Sequence, residues 1–128
     1  MRDHRNRYDG AMRVVANIAI VVVAMEHIGF LVLEMFLWST PFGRRVFGLT
    51  AERARDSAAL AANQGLYNGF LAAGLIWSLF TGFPAQLFFL ACVIIAGVFG
   101  AITAKRSILW VQAVPAAVAL ILVVLARR

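Results

Sequence analysis

Between Arg13 and Ser39 the chain runs VVANIAIVVVAMEHIGFLVLEMFLW, an apolar stretch long enough to cross a bilayer as a helix with some tilt to spare. Such a stretch leaves few folds open. Backbone in hydrocarbon must satisfy its hydrogen bonds within the segment, and a helix does so. Yet Glu26 and His27 sit at its midpoint, and Glu34 lies two turns further on. An ionisable side chain at that depth costs roughly 2.5–3.5 kcal/mol on insertion scales, so three in one span need a reason.

Three more apolar blocks follow, and the composition agrees: 62% hydrophobic with 14% charged lies outside the soluble globular range. The expected fold is all-α, a four-helix transmembrane bundle with spans near residues 14–38, 58–80, 85–104 and 108–125. Residues 1–13 read as a charged arm and residues 14–128 as one multi-pass domain in the cell membrane, with both termini on one side. A secretory signal peptide fits poorly, because the first block is too long and MFLWSTP offers no small-residue cleavage site. The net charge of +6 does not point to nucleic acid. The basic residues lie between apolar blocks, where lipid headgroups and topology explain them better. Their count is balanced between the two sides, so charge does not orient the chain. The single cysteine, Cys92, lies inside the third block, where it reads as a small packing residue.

The connections carry local signals. Thr40-Pro41 blocks continuation of the first helix, and Gly43 and Gly48 allow turns. Thr50 with Glu52 close behind reads as a helix start, and Pro84 suits a first helical position. In the second span Ala61, Gly65, Gly69 and Ala73 repeat every four residues, a ridge that admits another helix closely. Beside it lie Asn63, Gln64, Tyr67 and Asn68, denser in polar groups than lipid-facing surface tolerates. Trp38 suits a headgroup-level anchor, and Pro115 a mild kink.

Helical geometry gives the polar residues a shape. His27 and Glu34 fall about 20° from one face and about 10.5 Å apart along the axis. Neighbours Glu26 and His27 diverge by about 100°, and the one-turn pairings HxxxE and HExxH are absent, so no metal site is expected. With the second span folded antiparallel and counted from the shared loop, Asn68 reaches the level of Glu26 and His27. Asn63 and Gln64 then fall towards Glu34. Amides at those depths would suit a carboxyl in either protonation state, or a polar ligand. The candidate ligand- or proton-binding set is therefore Glu26, His27, Glu34, Asn63, Gln64 and Asn68. The plainer reading is that such groups hold the helices together, at about 0.6 kcal/mol per bond. That gain is smaller than the insertion cost of one acid. Asn17 and Gln112 are read as structural, and Glu34 could simply pair with Arg44 or Arg45.

The runs EHIGFLVLEMFLW, TPFGRRVFGLT, LAANQGLYNGFLAAGLIW, FFLACVIIAGVFGA and VQAVPA, in that order, resemble the membrane family called domain of unknown function 1304. The resemblance covers nearly everything from Arg13 onward. It implies a four-span integral membrane protein and carries no activity with it.

Three functions compete. The leading one is a proton- or cation-linked transporter or small-ligand-binding protein, in which Glu26, His27 and Glu34 take up and release protons or a cation. Its partners would be the lipid bilayer, a small-molecule or cation ligand and a second copy of the chain, since four short helices enclose little room. In size and span count the chain is similar to small multidrug exporters, an analogy of layout alone. The second is an intramembrane enzyme, such as an isomerase of a lipid-like substrate, with an acid and a histidine moving protons. The third is a structural subunit with the polar cluster as glue. The sequence names no cofactor.

Overall fold

The computed structural model describes residues 2–127, with side chains described from Arg7 onward. It is helical throughout, with no strand among the described residues. Helix α1 covers Arg2–Val32 and passes through the charged arm without a break at Arg13. It continues into a π-helical turn, Leu33–Leu37. The short helix α2 spans Pro41–Phe47, α3 Ala51–Thr81 and α4 Phe83–Thr103. A second π-helical turn, Leu109–Ala113, leads into α5, Val114–Ala126.

Among the described residues three helical stretches are long and apolar enough to cross a membrane: Arg7–Leu37, Phe83–Thr103 and Leu109–Ala126. The expected span at 58–80 lies within α3, which equals α1 in length but is not among the three. Asn63, Gln64, Tyr67 and Asn68, with four glycine or alanine ridge positions, dilute its hydropathy.

The helix ends follow local chemistry. Thr40 caps α2 by accepting from the Gly43 amide at 3.1 Å, with Pro41 in the first turn, and Gly48 ends it at φ 66°. Thr50 caps α3, its hydroxyl accepting from the Arg53 amide at 3.2 Å. Pro41 follows the extended Thr40 and lies outside the helix of the first π-helical turn, whereas the second turn contains Val111, four residues before Pro115 in one continuous helix. A proline ring clashes with the carbonyl at that position and supplies no N–H to it. At the second turn the Val114 amide reaches back five residues to Leu109 and relieves the crowding.

The described chain divides into two compact units, Met25–Ala73 and the residues on either side of that segment. Within Met25–Ala73, α1 and α3 meet along the small-residue ridge. A Cβ on Gly65 would come within 2.7 Å of Met35 Cγ and 3.2 Å of the Leu31 carbonyl oxygen. One on Gly69 would meet Leu31 Cδ1 at 2.6 Å. Ala61 is also buried, whereas Ala73 is exposed, so the ridge is in contact over its first three positions. At the corner, the Leu37 carbonyl occupies the space a Gly43 side chain would need. Trp38 is only half-buried and is tied down rather than free. Its indole N–H donates to Ser57 Oγ at 3.0 Å, and its ring lies 4.5 Å from that of Phe47.

In the other unit α4 packs on α5 and on the π-helical turn before it. Gly97 makes the closest approach, where a Cβ would lie 2.8 Å from the Ala113 amide nitrogen. Ile20, Leu75, Leu90, Val93, Ala116 and Ala119 form a core with almost no exposure. At one end of this unit a cavity of about 400 Å³ is lined by Arg13, Asn17, Gly82, Phe83, Gln86 and Arg127, among others.

Candidate functional site

The polar residues of α1 fall in different settings. His27 is completely buried, with the edge of its ring towards Phe30 at 5.7 Å between centroids. Glu26 is half-buried, and its Oε1 is enclosed with no hydrogen-bond partner among the described residues. These two neighbours leave the helix about 100° apart, so burying one face leaves the other group at the edge.

Glu34 lies inside the π-helical turn, and its Oε2 accepts a 2.7 Å hydrogen bond from Asn68 Nδ2. No ion pair joins it to Arg44 or Arg45 among the described residues, and Arg44 Nε is itself buried without a partner. The turn widens the helix by one residue per hydrogen-bonded ring. It therefore changes the face on which Glu34 emerges relative to Glu26. Such turns recur at functional positions in helices.

The pairing of Asn68 with Glu34 corrects the expected depths. Counting from the shared loop set Asn68 against Glu26 and His27. In the structure Gly65 faces Glu34 and Met35, and Gly69 faces Leu31. One further turn brings the level of His27 to that of Ala73. The count treated the loop as symmetric, but α2 and the Trp38–Ser57 tie consume it unequally.

Asn68 is 6% exposed and belongs to the α1–α3 seam. Asn63 and Gln64 are exposed on α3, together with Tyr67, and the structure does not bring them to Glu34. Of the six candidates, then, Glu34 and Asn68 meet directly, Glu26 and His27 are adjacent on α1, and the two remaining amides face outward. Among the described residues no three His, Cys, Asp or Glu side chains gather as metal ligands. Sequence reasoning missed the π-helical turn beneath Glu34. Pro41 gives no signal of it, because the chain has already left that helix at the extended Thr40.

A family model described as "Protein of unknown function (DUF1304)" matches residues 21–124. An uncharacterized protein, YpaA, of Lactococcus lactis subsp. lactis (strain IL1403) is 33% identical over 116 residues, covering 86% of this chain and 97% of that protein. No solved structure matches the chain.

Proposed function

The chain belongs to the DUF1304 family, and from that premise we propose that it is a multi-pass membrane protein that binds or moves a proton or small cation at Glu26, with His27 beside it. The observation that carries this reading is the enclosed Glu26 Oε1, which has no hydrogen-bond partner among the described residues. A residue kept only as glue would have its polar atoms satisfied, because an unpaired buried polar group costs about 1–3 kcal/mol. A carboxyl that alternates between a proton and a cation needs an oxygen not already committed. Burial in hydrocarbon makes that exchange sensitive to small changes around the group.

In this reading α3 is a fourth crossing, despite its diluted hydropathy. Arg13, Gly82 and Arg127 line one cavity, which supports α1 leaving that side, α3 returning to it, and α4 and α5 repeating the excursion. The exposed Asn63, Gln64 and Tyr67 on α3 support a second copy of the chain against that face, since amides facing lipid are costly.

The glue reading is favoured at one residue, Glu34, whose carboxylate is held by Asn68. The two roles separate in liposomes carrying a pH gradient and an enclosed pH-sensitive dye. Tetraphenylphosphonium, sodium and potassium serve as trial cations. Wild-type protein should dissipate the gradient when one of them is added, and Glu26→Gln should slow this at least tenfold while folding normally. Glu34→Gln should slow it less. Wild-type flux in Glu26→Gln would overturn the assignment.

A further inference from the structure

The cavity bounded by Arg13 and Arg127 is not part of the Glu26 site. It is lined by two guanidinium groups, the amides of Asn17 and Gln86, the Phe83 ring, the backbone at Gly82 and four aliphatic side chains, and among the described residues no acidic side chain lines it. Arg127 is held in place, its guanidinium carbon 4.0 Å above the centre of the Phe83 ring. A guanidinium stacked in this way keeps its N–H edges free to donate. The amino end of α4 opens at the same place. Gly82 caps it with no side-chain hydrogen bond, so the positive end of the helix lies at the cavity. A volume of about 400 Å³ lies within the usual range of roughly 300–1,000 Å³ for small-ligand sites. The polar side chains of the lining are all donors or carry positive charge, and the rest of the wall is aliphatic apart from Phe83, which steadies Arg127.

The position narrows the ligand. Arg13 immediately precedes the apolar run of α1, and Arg127 immediately follows α5. In the proposed topology both sit where a span meets the headgroup layer. Arginine binds oxyanions through a bidentate fork, which suits a multi-oxygen anion better than a halide, and at the membrane surface the abundant one is the phosphate of anionic headgroups.

We propose that this cavity binds a phosphate-bearing anion at the membrane surface, through Arg13 and Arg127 with Asn17, Gln86 and the amino end of α4. Two sources share that chemistry, the headgroup of an anionic phospholipid and a soluble phosphate. The site stands whether or not Glu26 carries a cation.

The test is the thermal stability of the full chain in a zwitterionic detergent. Phosphatidylglycerol, phosphatidylcholine or inorganic phosphate is added, the last at matched ionic strength. Phosphatidylglycerol should raise the unfolding temperature in a saturable way, with phosphatidylcholine at least tenfold weaker. If inorganic phosphate gives the same saturable rise, the ligand is a soluble phosphate. If it does not, the ligand is the lipid. The paired variant Arg13→Gln/Arg127→Gln should weaken the response at least tenfold, and Gln86→Ala should weaken it by a smaller factor. Arg44→Gln/Arg45→Gln, at another basic pair, should leave it unchanged. Should the paired variant not fold, Gln86→Ala against Arg44→Gln/Arg45→Gln decides the matter. No saturable rise with either probe overturns the proposal. So does an equal response to phosphatidylcholine, or a loss of response as large in Arg44→Gln/Arg45→Gln as in the cavity variants.

Discussion

Glu26 and Glu34 show how one residue type takes different roles along one continuous helical stretch. Glu34 has a fixed donor at 2.7 Å, whereas Glu26 has an enclosed oxygen with none. Removing the donor should therefore register as stability. Asn68→Leu is expected to cost about 0.6–2 kcal/mol, the range for hydrogen bonds between membrane helices. Glu34→Gln should cost less than about 0.5 kcal/mol, because its amide oxygen can still accept from Asn68. A double-mutant cycle read by unfolding in mixed micelles measures the coupling, and a coupling of zero would mean that the bond holds nothing. The polar residues themselves were legible in the sequence, since charge in an apolar run stands out. Which of them meet was not. Partner choice depends on the rotation and depth of two helices to within one turn, and Asn68 lies one to two turns from where symmetric counting put it.

At the level of the helices, the caps at Thr40 and Thr50, the stop at Gly48 and the placing of Pro41 and Pro84 in first turns follow from chemistry within four residues. Such features can be read from a single sequence. The two π-helical turns were not: the first has no proline in its helix, and at the second a proline such as Pro115 can kink the helix or widen the turn before it, and packing decides which. The ridge on α3 makes a graded test of helix contact. Gly65 faces a backbone carbonyl and the stem of Met35, whereas Gly69 faces only the tip of Leu31, which can turn aside. Gly65→Ala should therefore destabilise more than Gly69→Ala, and either substitution to Leu should cost about 1–3 kcal/mol through overpacking. Thermal unfolding in detergent ranks the four variants. If all four match the wild type, α3 does not meet α1 along this ridge.

For the whole molecule the open quantity is the number of crossings. Three stretches qualify by length and hydropathy, and the cavity argument adds α3 as a fourth. Single cysteines placed at Asp9 and Arg127 in a Cys92→Ala background should both react with an impermeant thiol reagent from one side of sealed vesicles, and one placed at Arg45 from the other. Asn63→Cys should form a disulfide between copies if α3 lines a dimer seam. Labelling of Asp9 and Arg127 positions from opposite sides would rule out four crossings. The division of the chain also bears on the order of its assembly in time. Met25–Ala73 is continuous in sequence, so its two helices can meet through one short corner. The other unit must bring the start of the chain to its last turn, and closure entropy rises by about 0.6 kcal/mol for each doubling of the segment between. A chain emerging from the ribosome therefore completes the α1–α3 hairpin early. The Arg13–Arg127 cavity forms only when α5 has been made, so a chain released before that point carries the Glu26 helix in place and has no anion pocket.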